Sequence, residues 1–578
     1  MKMLRKIDDT RLLRYLSWFS AIALAPLPFL AGYYSHHDGL ILANARILRE
    51  SLNNGGPWPF NQYGSFGILP QTFFSFLFPI DYQLVSLRLF TLICYWSTGY
   101  LLFKLSNVFT TQNNSYLVVI IYFVSQPFNG SNFLPWASSF LMPIVIAHTY
   151  LFASTINNQK IVHGGIQAKI LFAGFLLPMI LLSRAQIGVL IFFIASIFAF
   201  LVSQIRGLIS YLLGILLFCI PFSIFMTIHG WFSASLSDEF IFGSVYLKYE
   251  DVSHIPIPTF SFLGSMGFFF ILQYGNQIWK YLGKRWSSRQ IFGLFTLFSI
   301  LIFLTIFTIL RSRGLNLNAA YFNVLGRFWI SLYLGCLFYF FVHITKSNCI
   351  ALKEKDFTSR KLHLENFLFL ISFAAQFQIW PFFDSMHFWW GSVPAALIVI
   401  LVVREKFLIL NLSFTTQQRT KILASVIVLV LAIIPLGTQI HTPRNALNLY
   451  GTSGTYINSS DALLNFRTRI FLEENVDSGS RVLNLCQNPD VFLTSAKIQS
   501  ATRYFVFWPP MRHVRSIQDA FENSNPDTVV TCTLNEFNTD TQAQSEKQQK
   551  SLLEKVAPKR TLRAELSIGK LWQIWTVN

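Results

Sequence analysis

The chain is 578 residues long, 53% hydrophobic and only 12% charged, with mean hydropathy +0.46. A soluble globular chain carries about twice that charged fraction, so a soluble enzyme is excluded and a polytopic all-α membrane protein is expected. The net charge of +18 then belongs to cytoplasmic loops held against anionic lipid, and no nucleic-acid partner is implied.

Lys2, Arg5, Lys6, Arg11 and Arg14 precede the first apolar run, 15–34. The positive-inside rule places the N-terminus in the cytoplasm and the far end of the run outside. The run continues past the small residues Ala21 to Ala25, which favours an uncleaved anchor over a cleaved signal peptide.

A first outer loop, 35–83, comes next. It opens on His36, His37 and Asp38 and continues into 41–52, where Ile41, Ala45, Leu48 and Leu52 share one face and Arg46, Arg49 and Glu50 lie off it. That pattern predicts a short amphipathic helix on the membrane surface. Asn53-Asn54-Gly55-Gly56-Pro57 then breaks the chain, and Trp58 to Gly64 closes the loop through Gln62 and Tyr63. The run 66–80 reads as either interfacial or spanning.

Charge threads the remaining helices. Runs 84–105, 116–128, 136–154, 170–183, 187–202 and 208–228 alternate direction, with Lys104, Lys160, Lys169 and Arg206 inside and Arg184 at an outer edge. A second outer loop, 229–261, carries Asp238 and Glu239. Runs 262–279, 291–310, 328–342, 367–380, 389–403 and 422–440 complete about 13 helices. A charged loop is expected at 346–361, Arg311 and Arg313 at an outer edge, and Asp384 and His387 at another.

From residue 441 the chain turns polar, with 15 basic and 13 acidic residues and no spanning run. Helical patterns at 461–475, 516–523 and 542–556 alternate with strand-like runs at 481–485, 528–534, 561–566 and 571–577. Residues 441–578 therefore read as an α/β domain, extracytoplasmic by parity, after a membrane domain of 1–440. Cys486 and Cys532 end two strands that could be neighbours, as a disulfide or as two buried thiols. The six cysteines show no metal-ligand spacing.

An acid after the first helix, a surface helix, a loop closing on Gln62-Tyr63-Gly64, about a dozen further helices and a soluble tail resemble the GT-C glycosyltransferases. These integral membrane enzymes use polyprenyl-phosphate sugars. The chain looks most like the protein O-mannosyltransferases, the aminoarabinose transferase and related bacterial enzymes. The resemblance rests on Asp38-Gly39, Gln62-Tyr63-Gly64, Ser86-Leu87-Arg88-Leu89, the stretch from Trp380-Pro381 through Asp384 and His387 to Pro394, and the turn Asn488-Pro489-Asp490 with the later strand after Asn525-Pro526-Asp527.

The resemblance implies an inverting transfer from a polyprenyl-phosphate-linked sugar donor to an extracytoplasmic acceptor, at a bacterial plasma membrane. Its leaving group needs no general acid, so one carboxylate to deprotonate the acceptor suffices. Asp38 is the candidate base, against a solvated helix cap. Arg184 and Arg88 are candidates for the donor phosphate, against a snorkelling arginine and an intramembrane ion pair. His37, Gln62, Tyr63, Asp384 and His387 are candidate substrate ligands.

In relatives such as the oligosaccharyltransferases a divalent cation (Mg or Mn) serves the site. Here Asp238 and Glu239 would have to hold it with Asp38, and no ligand spacing supports that over loop solvation. The segment Leu134 to Ser139 carries no acid where many relatives place a second one, which argues against a paired-carboxylate mechanism. A polysaccharide polymerase or ligase remains an alternative, as does a non-catalytic transporter or scaffold. The first would place its key loop late in the chain, and a transporter would show inverted repeats.

Overall fold

The structure is a computed structural model. It describes all but residues 1–8, 31, 34–37, 61–63, 126–136, 158–166, 239–258, 284–316, 355–358, 378–389, 408–424, 426–427, 430–443, 447–448, 450–451, 454, 487–488, 495–497, 508–510, 512–514, 534–538, 569 and 578. The candidates His37, Gln62, Tyr63, Asp384 and His387 lie outside the described residues, as do the expected helix at 291–310 and all but residues 425, 428 and 429 of that at 422–440.

The first apolar run forms two pieces, α1 (Asp9–Leu24) and the single turn α2 (Leu27–Leu30). The break falls at Pro26, which has no N–H to continue a helix; its carbonyl instead accepts from Phe29 and Leu30 at 3.1 and 3.0 Å. α3 (Leu40–Asn54) ends at Gly55, whose φ of 70° is left-handed and closes the helix onto the Ser51 carbonyl.

α3 is helical as expected, but the first half of its polar face is buried, and only its end, at Glu50, Asn53 and Asn54, meets water. Asn44 is 1% exposed and Arg46 5%. The C-terminal domain covers that face, and Arg46 Nη1 donates to the carbonyl of Phe492. α4 (Ser65–Ser75) has 11 residues. At about 1.5 Å per residue it is too short to span a bilayer.

α5 (Gln83–Phe109), α6 (Gln112–Ser125), α7 (Ala137–Asn157) and α8 (Ala168–Leu181) come next. α9 (Ala185–Ile228) is helical over 44 residues but leaves helical geometry at Ser203 and Gln204, where Gln204 has φ 53°. The chain reverses there, so the Phe192 ring stacks 6.5 Å from Tyr211. This is the expected return of 187–202 and departure of 208–228. α8 packs so closely on the second leg that a Cβ at Gly214 would meet the Leu171 carbonyl and lie 2.8 Å from Phe175 N.

α10 (Phe232–Ser237), α11 (Thr259–Gly283), α12 (Leu317–Glu354), α13 (Arg360–Gln376) and α14 (Ala395–Phe407) complete the described helices of the membrane part. The charged stretch expected as a loop from Lys346 is helix as far as Glu354. Two amide hydrogen bonds of 3.0 Å between Asn348 and Asn366 hold this extension of α12 against α13. Ser359 caps α13 by accepting from Leu362 N at 3.5 Å.

Among the described residues five helices are long and apolar enough to cross a membrane, with two shorter apolar helices beside them. The protein is an integral membrane protein. The sequence pattern predicts about 13 spans, and the structure supplies the coarser description of a helical membrane part followed by a small sheet domain.

In the tail, β1 (Arg444–Ala446) pairs with β2 (Tyr456–Asn458), and α15 (Ser459–Asn475) leads to β3 (Arg481–Asn484). Then come β4 (Gln499–Ser500), α16 (Arg515–Glu522), β5 (Thr528–Cys532), α17 (Thr539–Val556), β6 (Arg560–Ile568) and β7 (Lys570–Val577). The sheet order is β4-β3-β5-β7-β6. β3 runs parallel to β4 and β5, and the terminal hairpin is antiparallel. The buried run Thr528 to Cys532 makes β5 the central strand. Cys486 and Cys532 close the ends of neighbouring β3 and β5 as a disulfide, with Cα atoms 5.5 Å apart.

Gly214→Val would drive a branched side chain into the α8 backbone. The expected loss is about 1–3 kcal/mol, read as a lower thermal midpoint of the purified protein. An unchanged midpoint would contradict this packing.

Candidate active site

α2, α3 and α5 converge on one ion pair. Arg88 lies early in α5, facing the C-terminal end of the first helix. Its Nη2 donates to Asp38 Oδ2 at 2.6 Å and its Nε to Oδ1 at 3.4 Å. Nη1 donates to the Pro28 carbonyl at 3.0 Å and Nη2 also to the Gly32 carbonyl at 3.1 Å. Asp38 is 0% exposed and Arg88 1%. A charge so deep in an apolar part is tolerable only when paired and hydrogen-bonded. Arg88 is therefore the intramembrane ion pair that the sequence allowed, and it fixes where Asp38 sits.

A turn of the C-terminal domain lies over this pair. Gly39 follows Asp38, and a Cβ there would lie 2.6 Å from the Tyr33 hydroxyl, 3.4 Å from Pro489 and 3.6 Å from Asp490 Oδ1. Glycine is thus what lets these groups close over α3. The Tyr33 hydroxyl donates to Asp490 Oδ1 at 3.3 Å. Asp490 belongs to the turn that follows Cys486.

Arg503 holds the same domain on its other side. Its two terminal nitrogens donate to both Asp238 oxygens, at 3.0 and 2.5 Å. Nη2 also donates to the Tyr504 hydroxyl at 3.0 Å. Burial alone would lower the Arg503 pKa, but the hydrogen bond and charge of Asp238, helped by Tyr504, outweigh it and hold the guanidinium above its ordinary value. Burial raises the Tyr504 phenol against the opposing influence of Arg503. The Arg503 carbonyl accepts from Phe60 N at 2.9 Å, so this residue also grips the loop between α3 and α4.

Arg184 caps α9 at the turn between α8 and α9. Phe66 N, at the start of α4, donates to the Leu182 carbonyl at 3.1 Å and ties that turn to the first outer loop. A ladder of rings joins it to α5, with Phe66–Phe140 at 5.7 Å and Phe90–Phe140 at 5.8 Å. Phe90 is two residues from Arg88. The structure thus brings Asp38 and Arg88 into contact and ties the Arg184 turn to α4 and, through stacked rings, to α5 and α7.

The described residues do not suit a metal ion. No three His, Cys, Asp or Glu side chains among them gather closely enough to hold one. Asp38 and Asp238 each accept from an arginine instead, with both Asp238 oxygens so occupied. Glu239 lies outside the described residues.

Tyr33, Asp490, Arg46 and Arg503 are contributors that sequence pattern alone does not single out. Arg503 had one visible signal, a single cation leading the aromatic run Tyr504 to Trp508. Nothing in the pattern placed it against Asp238, 265 residues earlier.

Among solved structures the fold is similar to the oligosaccharyltransferase of Archaeoglobus fulgidus. One of them, tethered with an acceptor peptide containing the NVT sequon, is 12% identical and gives a TM-score of 0.48, covering 92% of this chain and 70% of that one. Another, AglB in complex with an inhibitory peptide and a dolichol-phosphate, is 11% identical with a TM-score of 0.47, covering 90% and 69%. A third, in complex with Zn and sulfate, is 15% identical with a TM-score of 0.41, covering 80% and 56%. No protein-family model matches the sequence, and no curated protein matches it. Likenesses at this TM-score establish neither activity nor substrate.

Removing Arg88 leaves Asp38 buried without its counter-charge. Arg88→Met should cost about 3–5 kcal/mol, and Arg88→Met combined with Asp38→Leu should recover most of it. Thermal unfolding of the three proteins checks this; a single variant as stable as wild type would show that the pair does not hold α2, α3 and α5 together.

Proposed function

We propose that the chain is an inverting glycosyltransferase of the GT-C type, moving a sugar from a polyprenyl-phosphate donor to an extracytoplasmic acceptor. The observation that carries this reading is a buried carboxylate, Asp38, fixed by Arg88 where the membrane helices meet the soluble domain. A polyprenyl donor keeps its chain in the bilayer and offers its headgroup at the surface. The acceptor arrives from water. Chemistry that joins them needs its base at such a junction.

In the proposed reaction the Asp38 carboxylate takes the acceptor hydroxyl proton. The acceptor oxygen forms a bond to the anomeric carbon from the face opposite the phosphate. The bond from that carbon to the phosphate oxygen breaks, and polyprenyl phosphate leaves with the electron pair. Arg184 is proposed to receive the phosphate. Arg88 takes part through the same charge: a phosphate that shares its guanidinium loosens the hold on Asp38.

His37, Gln62, Tyr63, Asp384 and His387 remain proposed ligands of sugar and acceptor. Residues 1–440 are proposed as the catalytic membrane domain, with a cytoplasmic N-terminus, and 441–578 as an extracytoplasmic domain, in a bacterial plasma membrane.

Asp38→Asn keeps one oxygen toward Arg88 but cannot take the proton. Transfer from a radiolabelled polyprenyl-phosphate sugar should fall by at least about 100-fold with donor binding retained, measured below the thermal midpoint, which drops because buried Arg88 loses its counter-charge. Equal transfer by both proteins would remove Asp38 from the chemistry. Arg184→Ala should weaken donor binding by roughly 10- to 100-fold and spare binding of a polyprenol lacking phosphate. Equal losses for both lipids would mean that Arg184 does not read the phosphate.

A further inference from the structure

We infer that the C-terminal domain is a lid over Asp38, latched by the Asp238–Arg503 ion pair, and that an acceptor reaches the acid only when the latch opens. The inference rests on the proposed role of Asp38 as the base. A base that is 0% exposed cannot meet a hydroxyl from water until something moves. On one side Asp38 is held by Arg88, within the membrane part. On the other, Pro489 and Asp490 lie against Gly39, and Tyr33 bonds Asp490. The groups from the C-terminal domain are the ones that can leave without taking apart helix packing.

The docking contacts have the character of a joint that separates. Among the described residues they include an ion pair and hydrogen bonds set beside apolar packing that continues into the membrane core: Tyr33 to Asp490, Arg46 to the Phe492 carbonyl, Phe60 N to the Arg503 carbonyl and Ser453 N to the Asp81 carbonyl at 2.8 Å. The Phe60 and Tyr504 rings add one aromatic contact at 5.3 Å. Interfaces between parts of one chain ordinarily permit relative motion unless they are large and apolar throughout, and this one carries polar and charged contacts. The helices beneath are joined differently, by apolar side chains and close glycine contacts.

Arg503 is the natural latch because it acts on both outer loops at once. Its carbonyl holds Phe60 of the first loop and its guanidinium holds Asp238, just after α10. The Asp238 side chain is 3% exposed and that of Arg503 16%, so water screens the pair little. Breaking it removes the charge-assisted part of the joint and leaves the apolar and neutral contacts in place.

The test is hydrogen–deuterium exchange on the full chain in lipid nanodiscs, followed in α3, which the lid covers, and in α7, which it does not. The wild type should exchange faster in α3 than in α7, because the lid opens at intervals. Arg503→Met should speed α3 at least tenfold more and leave α7 unchanged. The charge swap, Asp238→Arg with Arg503→Asp, should return α3 to wild-type protection. Wild-type α3 exchanging as slowly as α7 would overturn the lid. So would an Arg503→Met rate in α3 equal to wild type, an equal rise in both helices, or a swap that fails to restore protection. Sugar transfer is measured on the same samples. Absence of transfer by the wild type would sink the glycosyltransferase reading, while the exchange result would decide the lid by itself.

Discussion

The buried pair of Asp38 and Arg88 is the constraint around which the outer half of the molecule is arranged. A guanidinium at 1% exposure needs every donor satisfied. Arg88 places four N–H donors on a carboxylate and two carbonyls, from Asp38, Pro28 and Gly32. Those partners come from either side of the point where the first helix ends. The break at Pro26, the turn through Gly32 and the start of α3 are thereby fixed to α5. Asp38 lies at the head of α3, so the same pair sets the position of a helix whose polar face then has to be covered. The C-terminal domain covers it, through Phe492, Pro489 and Asp490.

Two arginine–aspartate pairs therefore do different work. Asp38 and Arg88 belong to the same packed set of helices, and separating them disrupts that set. Asp238 and Arg503 belong to the membrane part and to the tail, and separating them leaves each intact. The first pair stores a carboxylate in a defined place. The second decides how that place is covered. A transfer between a lipid in the bilayer and an acceptor in water calls for both properties, a fixed acid and a cover that keeps bulk water from competing as acceptor.

The sequence made some of this legible. Apolar length and charge marked α5, α7 and both legs of α9, including the reversal beside Gln204, because these features come from local composition. Strand and helix patterns in the tail matched β3, β5, α15, α16, α17 and the terminal hairpin for the same reason. The environment of α3 was not legible. Its spacing of apolar and polar residues suits a membrane surface, and only the tail's docking shows why Arg46 is buried. The charged stretch after Lys346 read as a loop because its helix is stabilised by a partner, Asn366 on α13, rather than by its own propensity.

At the site, Asp38 and Arg88 were singled out separately, by position and by likeness to a family. That they pair is a tertiary fact, with 50 residues between them. Arg503 was hidden for the same reason at greater separation, and Asp490 was visible only as part of a turn, with nothing to set it beside Tyr33 and Gly39. Each is an ordinary residue of an α/β domain until that domain is set on the membrane helices.

The central claim is an inverting displacement at the anomeric carbon of a polyprenyl-phosphate sugar. The most direct measurement is the anomeric configuration of the product, by NMR, after supplying the wild type in lipid with donors of known configuration and an extract of candidate acceptors. The account predicts a product whose configuration is opposite to that of the donor. A product that keeps the donor configuration would contradict a single displacement with Asp38 as base.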